Sequence, residues 1–135
     1  MVPDAFDNET VARYWLAEGE EALIVAGHLI EKADYSYALF FGHLAVEKVL
    51  KGLHAIRRCQ HAPPIHNLVR LAKAADIELN EARTEALLRI TAFNIEARYP
   101  DLKHGFRQRC TPEYAGEQMM VIREMCEWLK SHLTS

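Results

Sequence analysis

One basic segment of the chain carries the residue types best suited to chemistry. It holds a histidine and four cations, which are His104, Arg98, Lys103, Arg107 and Arg109. Arginine binds phosphate through a planar fork of donors, and histidine transfers protons near neutral pH. Such a set could bind a phosphodiester and cleave RNA by acid–base chemistry on the 2′-hydroxyl, without a metal. Alternatively, the segment is a solvated basic loop in which Arg98 pairs with a carboxylate of an earlier helix.

A second polar group lies on one strip of the second predicted helix. Its members recur every three or four residues beside the apolar face, and they are His43, Glu47, Lys51 and His54. One hypothesis is that Glu47 orients or pairs with Arg98 in a cleft, where His43 or His54 contributes to a ligand site. The alternative is a surface ion pair between Glu47 and Lys51 with histidines beside it. We therefore add His43, Glu47 and Lys51 to the basic segment as candidate phosphate-binding residues.

The hydrophobic spacing indicates the elements that must position these side chains. It predicts an all-α, up-and-down bundle of four long helices and one short helix. The predicted helices span about residues 10–32, 35–58, 66–75, 80–98 and 111–133. Asp34, Asn80 and Thr111 are expected N-caps. Pro100 is expected to end the fourth helix, and a connection of about ten residues should follow it. Residues 1–9 would be an N-terminal extension and residues 10–133 one helical domain.

Composition limits the possible classes of function. The chain has 135 residues, of which 50% are hydrophobic and 26% charged, as expected for one globular domain. The formal net charge is −3, so any attraction to nucleic acid must come from a local patch. The three cysteines are far apart in sequence, and we find no signal peptide or membrane span. These features predict a reduced, cytoplasmic protein that does not associate with membranes.

Neither a metal nor a cofactor is expected. The seven histidines include no HExxH motif, and their spacing is wider than zinc sites usually show. No glycine-rich phosphate loop is present. Cations near Cys110 would favour its thiolate, but no nucleophile motif surrounds it, so we expect an inert thiol.

Three segments, in order along the chain, carry a resemblance to a known family. Tyr37–Leu53 contains A-x-E-K-x-L-K, Ile65–Leu71 contains H-N-L-x-x-L, and Ala97–Asp101 reads A-R-Y-P-D. Together they resemble the HEPN family (higher eukaryotes and prokaryotes nucleotide-binding domains), and the A-R-Y-P-D segment is typical of one large prokaryotic branch. The resemblance extends over about residues 10–133.

This resemblance implies a helical bundle that usually forms a homodimer through its long helices. It also implies one of two roles. Many small prokaryotic members are nucleotide- or nucleic-acid-binding partners of a separately encoded minimal nucleotidyltransferase. Others are metal-independent ribonucleases, often toxins of toxin–antitoxin pairs, with an arginine and a histidine four to six residues apart. In that role Arg98 would stabilise phosphate charge, and His104 would be the acid or base. A dimeric adaptor without a ligand is a third hypothesis.

The chain departs from the ribonuclease pattern directly after the arginine. Ribonuclease members commonly have a polar residue there, whereas this chain has Tyr99 and Pro100. The proline fixes the local backbone and could move His104 off the cleft. Tyr99 and Phe106 could stack on bases or pack against the bundle, and we expect packing for Tyr99.

Overall fold

The computed structural model describes residues 6–133, which form six α-helices and a final 3₁₀ turn, without strands. The elements are α1 (Asn8–Glu31), α2 (Tyr35–Arg58), α3 (Leu68–Ala74), α4 (Glu81–Arg98), α5 (Pro100–Arg109), α6 (Pro112–Lys130) and the turn Ser131–Leu133. This architecture confirms the predicted all-α bundle. Residues 1–5 of the predicted N-terminal extension lie outside the described residues. None of the helices within residues 6–133 is long and apolar enough to cross a membrane.

The second helix is the centre of the bundle. It packs against every other α-helix, and its apolar side chains Leu39, Val46, Leu50 and Leu53 are fully buried. Gly42 allows α6 to lie directly on its backbone, because a Cβ there would fall 2.5 Å from the Cδ1 atom of Ile122. This central position means that polar residues on α2 face other elements rather than solvent.

Side-chain caps begin four of the helices. Asp7, Asn67, Asn80 and Thr111 each accept a hydrogen bond from the backbone N–H three residues ahead. The predicted caps Asn80 and Thr111 are thus confirmed. Asp34 precedes α2, but its carboxylate makes no capping hydrogen bond, contrary to expectation. Its backbone ψ angle of 65° differs from the 175° of Asn80 and the 163° of Thr111.

The connection expected after Pro100 is instead the helix α5. Tyr99 adopts an extended conformation, which ends α4, and its carbonyl oxygen then accepts the N–H of Lys103 at 2.9 Å. Pro100 occupies the first turn of α5, where a proline loses no hydrogen bond. Phe106 is fully buried and stacks on Phe93 with 5.6 Å between ring centroids. The ten residues of α5 are mostly polar and only one of them is buried, so the hydrophobic pattern did not indicate a helix here.

Candidate functional site

Glu47 is the centre of a polar group that we call the Glu47 cluster, in which His43, Glu47 and Lys51 are buried and His66 is exposed. The Glu47 residue is only 4% exposed. Its Oε2 atom lies 3.2 Å from Nζ of Lys51, and its Oε1 atom accepts a hydrogen bond from Nδ1 of His66 at 2.8 Å. Nε2 of His43 is 3.8 Å from the same Oε1 atom. The helical spacing of α2 supplies three members, and the loop before α3 supplies His66.

His43 is a fully buried, neutral imidazole. Its Nε2 atom lies 3.1 Å from the carbonyl oxygen of His66, so Nε2 must donate and Nδ1 must carry a lone pair. Among the described residues, Nδ1 has no hydrogen-bond partner. Burial lowers the pKa of His43 below its ordinary 6.5, and the charges of His66 and Arg98 act in the same direction against Glu47 and the backbone bond. His43 therefore holds the loop at His66 rather than presenting a charge to a ligand.

Acid is expected to destabilise the protein through His43. The pKa of His43 is lower in the folded than in the unfolded protein. The contribution of neutral His43 to the free energy of unfolding is therefore complete above about pH 6.5 and is lost as the pH falls below it. His43→Gln keeps an N–H that can donate to the His66 carbonyl but cannot titrate. The melting temperature of this variant should therefore fall less than that of the wild type between about pH 7.5 and pH 5.5.

The comparison isolates His43, because Glu47, His66 and Arg98, the charged groups facing it, are the same in both proteins. Parallel melting curves across the pH series would contradict the assignment of a buried neutral imidazole.

Arg98 lies at the end of α4, beside the cluster. Its Nε atom donates to the carbonyl oxygen of Asn94 at 3.0 Å, and its charge acts on His43. It forms no ion pair with Glu47 or with any other carboxylate of the described residues, so both predicted pairings of Arg98 with α2 are wrong. The physical reason is that Lys51 and His66 already occupy the two oxygens of Glu47. The terminal nitrogens of Arg98 consequently have no hydrogen-bond partner within residues 6–133.

His104 is exposed on α5 and lies about 160° around the helix from the buried Phe106. It makes no hydrogen bond or ion pair with any residue that the structure describes. Nothing therefore holds His104 against Arg98 or the Glu47 cluster. Because residues 100–109 are helical, the direction of this side chain is set by helical rotation, which the sequence spacing alone did not reveal.

The remaining cations of the basic segment have different surroundings. Arg107 donates from Nη2 to the hydroxyl of Tyr37 at 3.2 Å, and Nζ of Lys103 lies 5.2 Å from the centre of the same ring. Lys103 and Arg107 together lower the pKa of Tyr37 from its ordinary 10.0. Arg109 instead donates to the carboxylate of Glu96 on α4. Lys103 and Arg107 are thus free of carboxylate partners among the described residues, whereas Arg109 is neutralised.

Two alternatives for the polar strip of α2 are corrected by the structure. Lys51 and Glu47 are both buried, so they are not a surface ion pair. His54 is also buried, and its Nδ1 atom lies 3.2 Å from the carbonyl oxygen of Gln60 at the end of α2. It therefore contacts the loop after α2 rather than the Glu47 cluster. The loop between α2 and α3 and the Trp15 ring of α1 contact this strip, which periodicity within α2 could not show.

The predictions for the two aromatic residues and for the Cys110 thiol have different outcomes. Tyr99 is 54% exposed, so the expected packing against the bundle is wrong, while the buried Phe106 cannot reach a base. Because the backbone is extended at Tyr99, between α4 and α5, helical spacing does not set the direction of its side chain. Burial raises the pKa of the Cys110 thiol to about 11, which leaves it protonated and agrees with an inert thiol.

Sequence reasoning missed two residues as members of the site. His66 is 19 residues from Glu47, and only its place in the H-N-L-x-x-L segment could have singled it out. Tyr37 lies in the first turn of α2 and accepts a hydrogen bond from Arg107, which is 70 residues away in sequence, a contact that no local pattern indicates. Within residues 6–133, no group of three or more histidine, cysteine or acidic side chains is arranged to hold a metal ion.

Comparison with known proteins agrees with this architecture. The chain is similar to the crystal structure of TT1696 from Thermus thermophilus, with 27% sequence identity and a TM-score of 0.76. The similarity covers 89% of this chain and 96% of that chain. A search among curated proteins found no match. A family model described as HEPN domain matches residues 12–132, which include most of α1 and all five later helices. The chain therefore belongs to the HEPN domain family, a superfamily of nucleotide- and RNA-related helical modules.

Proposed function

We propose that this HEPN domain binds a nucleotide or RNA and acts as the partner subunit of a minimal nucleotidyltransferase. The observation that carries the binding function is the guanidinium of Arg98, whose terminal nitrogens have no hydrogen-bond partner within residues 6–133. Its Nε atom is held by the carbonyl oxygen of Asn94 and its Cζ atom lies 5.9 Å from the centre of the Tyr99 ring, while the residue itself is exposed to a ligand. A preorganised arginine loses less side-chain entropy when it binds an anion.

The local charge balance favours an anionic ligand although the whole chain is acidic. Lys51 and His66 contact Glu47 and offset its negative charge. Lys103 and Arg107, which follow Arg98 in sequence and lie on α5, have no carboxylate partners among the described residues. A phosphate beside Arg98 would thus meet positive charge and little repulsion.

Binding can be tested with a fluorescently labelled RNA oligonucleotide at low and moderate salt. Arg98→Ala is expected to weaken binding about tenfold, which corresponds to the loss of one charge-assisted contact. Arg58→Ala is the matched control, because Arg58 is an exposed arginine at the far end of α2, where it pairs with Asp76. Equal affinity in the wild type and Arg98→Ala would contradict the proposed site. Absence of RNA and nucleotide binding in the wild type would favour an adaptor without a ligand.

The nucleotidyltransferase partnership rests on the A-R-Y-P-D segment, Ala97–Asp101, and on membership of the family. A small nucleotidyltransferase encoded next to this protein should co-purify with it when the two are expressed together. Lack of a neighbouring gene and of a complex would exclude this role.

The second candidate function is that of a metal-independent ribonuclease, which would be the toxin of a toxin–antitoxin pair. Its favouring observation is that His104 is exposed and makes no hydrogen bond among the described residues, so its ring is accessible to a substrate. Here Arg98 would stabilise phosphate charge, and His104 would act as acid or base. Cleavage of RNA in the presence of EDTA should then disappear in both Arg98→Ala and His104→Ala. Cleavage that persists in both variants would rule out this assignment.

We also propose that the protein forms a homodimer and acts in the cytoplasm. Large apolar side chains are exposed along α4 and the start of α5, and they are Leu88, Ile95, Tyr99 and Leu102. Leu88 and Ile95 are seven residues apart on α4 and therefore share one face of that helix, which favours a contact surface there. Sedimentation equilibrium tests this, since a monomer at all concentrations would contradict it. All three cysteines are free, which fits a reducing compartment.

A further inference from the structure

A second polar cleft lies between the start of α2 and the end of α5. It has a volume of about 430 Å³ and is lined by residues 33–37, Arg107 and Cys110. It is separate from the Glu47 cluster, because His43 is seven residues further along α2 than Ser36, or about 10 Å of helix rise. None of the roles argued above accounts for this cleft.

The first turn of α2 lines the cleft and carries free backbone donors. Within the described residues, the N–H groups of Tyr35, Ser36 and Tyr37 make no hydrogen bonds, and Asp34 provides no side-chain cap. The first N–H groups of a helix and its dipole favour a negatively charged partner.

Ser36 gives an independent indication of a ligand. The residue is only 8% exposed, yet it lines the cleft, and its hydroxyl has no hydrogen-bond partner in residues 6–133. The hydroxyl oxygen is not sealed from solvent, unlike Nδ1 of His43, so it opens onto the cleft that the residue lines. A bound acceptor in the cleft would satisfy the Ser36 hydroxyl.

The charges around the cleft are positive on balance. Arg107 lines the cleft, and Nζ of Lys103 lies over the ring of Tyr37, which is another lining residue. Asp34 is the one carboxylate lining the cleft, and it is exposed, so solvent screens its charge. Cys110 adds no negative charge, because its buried thiol stays protonated at neutral pH.

We propose that this cleft is a phosphate-binding subsite that takes the phosphate of a nucleotide or of an RNA strand. A phosphate offers several acceptor oxygens, which match three N–H groups, a hydroxyl and a guanidinium better than a carboxylate does. Tyr35 and Tyr37 also line the cleft, and the ring of Tyr35 supplies an aromatic surface on which an attached nucleoside stacks. The inference deepens the proposed nucleotide- or RNA-binding function and rests on it.

Amide NMR tests the subsite directly. With inorganic phosphate or AMP up to about 10 mM, which would occupy even a millimolar site, the amide signals of Tyr35, Ser36 and Tyr37 should shift and saturate. Sodium chloride of equal ionic strength should not reproduce these shifts. Signals that stay in place, or that move equally with chloride, would overturn the proposal.

Variants then test the side chains. Arg107→Gln should weaken AMP binding about tenfold, and Ser36→Ala about threefold, since each removes a donor to phosphate. Arg123→Gln, an exposed arginine on α6 that does not line this cleft, is the matched control. Circular dichroism would confirm that all three variants are folded. Wild-type affinity in both Arg107→Gln and Ser36→Ala would overturn the assignment.

The source of the phosphate is distinguished by comparing RNA trinucleotides with a 5′-phosphate and with a 5′-hydroxyl. Tighter binding of the phosphorylated form, lost in Arg107→Gln, assigns a terminal phosphate, whereas equal binding reduced in Arg107→Gln assigns a backbone phosphate. RNA binding that depends on Arg98 but not on Ser36 or Arg107 would reject this subsite and leave the proposed function intact. RNA binding that depends on none of them would reject both.

Discussion

Glu47→Ala is expected to lower the free energy of unfolding by about 3 to 5 kcal/mol, because it leaves a buried charge without its partner. Lys51 is itself buried, and Glu47 is the carboxylate that contacts its ammonium group. The same change removes the acceptor of Nδ1 of His66. Equilibrium unfolding in urea would measure the loss.

Two further variants make this prediction sharper. Glu127→Ala removes a carboxylate that also has a lysine partner, Lys130, but its side chain is 79% exposed, so it should change stability by less than about 1 kcal/mol. The double variant Glu47→Met with Lys51→Met should recover most of the lost stability, since it leaves no unpaired buried charge. A cost below about 1 kcal/mol for Glu47→Ala would show that water solvates the pair and that the cluster is not buried in solution.

Phe106→Ala is expected to cost about 3 to 5 kcal/mol and to release α5 from the bundle. Phe106 is the one fully buried side chain of α5, and it stacks on Phe93 of α4. Phe93 also packs edge-to-face against Tyr114, so the substitution leaves a cavity where α4, α5 and α6 meet. Chemical denaturation would give the cost, and amide hydrogen exchange over residues 100–109 would report the release.

Leu102→Ala is the matched control on the same helix. Leu102 is 46% exposed, so its truncation should change stability by less than about 0.5 kcal/mol. In Phe106→Ala, Lys103 and Arg107 should also lose their fixed positions beside Tyr37. The pKa of Tyr37, measured by NMR titration, should then rise back toward its ordinary 10.0. An unchanged Tyr37 titration together with protected α5 amides would contradict the anchoring role of Phe106.

The long helices and several of their ends could be predicted because they depend on local physics. Asp34 before α2 and the proline pair Pro63–Pro64 after it predicted its ends, Tyr35 and Arg58. Asn80 and Thr111 act as caps, because each accepts a hydrogen bond from the N–H three residues ahead. Helix α5 escaped prediction for the opposite reason. A short, polar helix is stabilised mainly by one distant packing contact, that of Phe106, rather than by periodicity of its own.

The candidate site was likewise predicted from the sequence only in part. Motifs and spacing were enough to predict the family, the all-α architecture and the candidate ligand-binding groups Glu47, Arg98 and the cations that follow it. Three further features became visible in the folded chain: His66 rather than Arg98 binds the Glu47 carboxylate, Glu96 neutralises Arg109, and His104 faces solvent. Spacing along a helix fixes which side chains share a face. The partner that meets that face comes from a distant segment, and burial then sets its charge and hydrogen bonds.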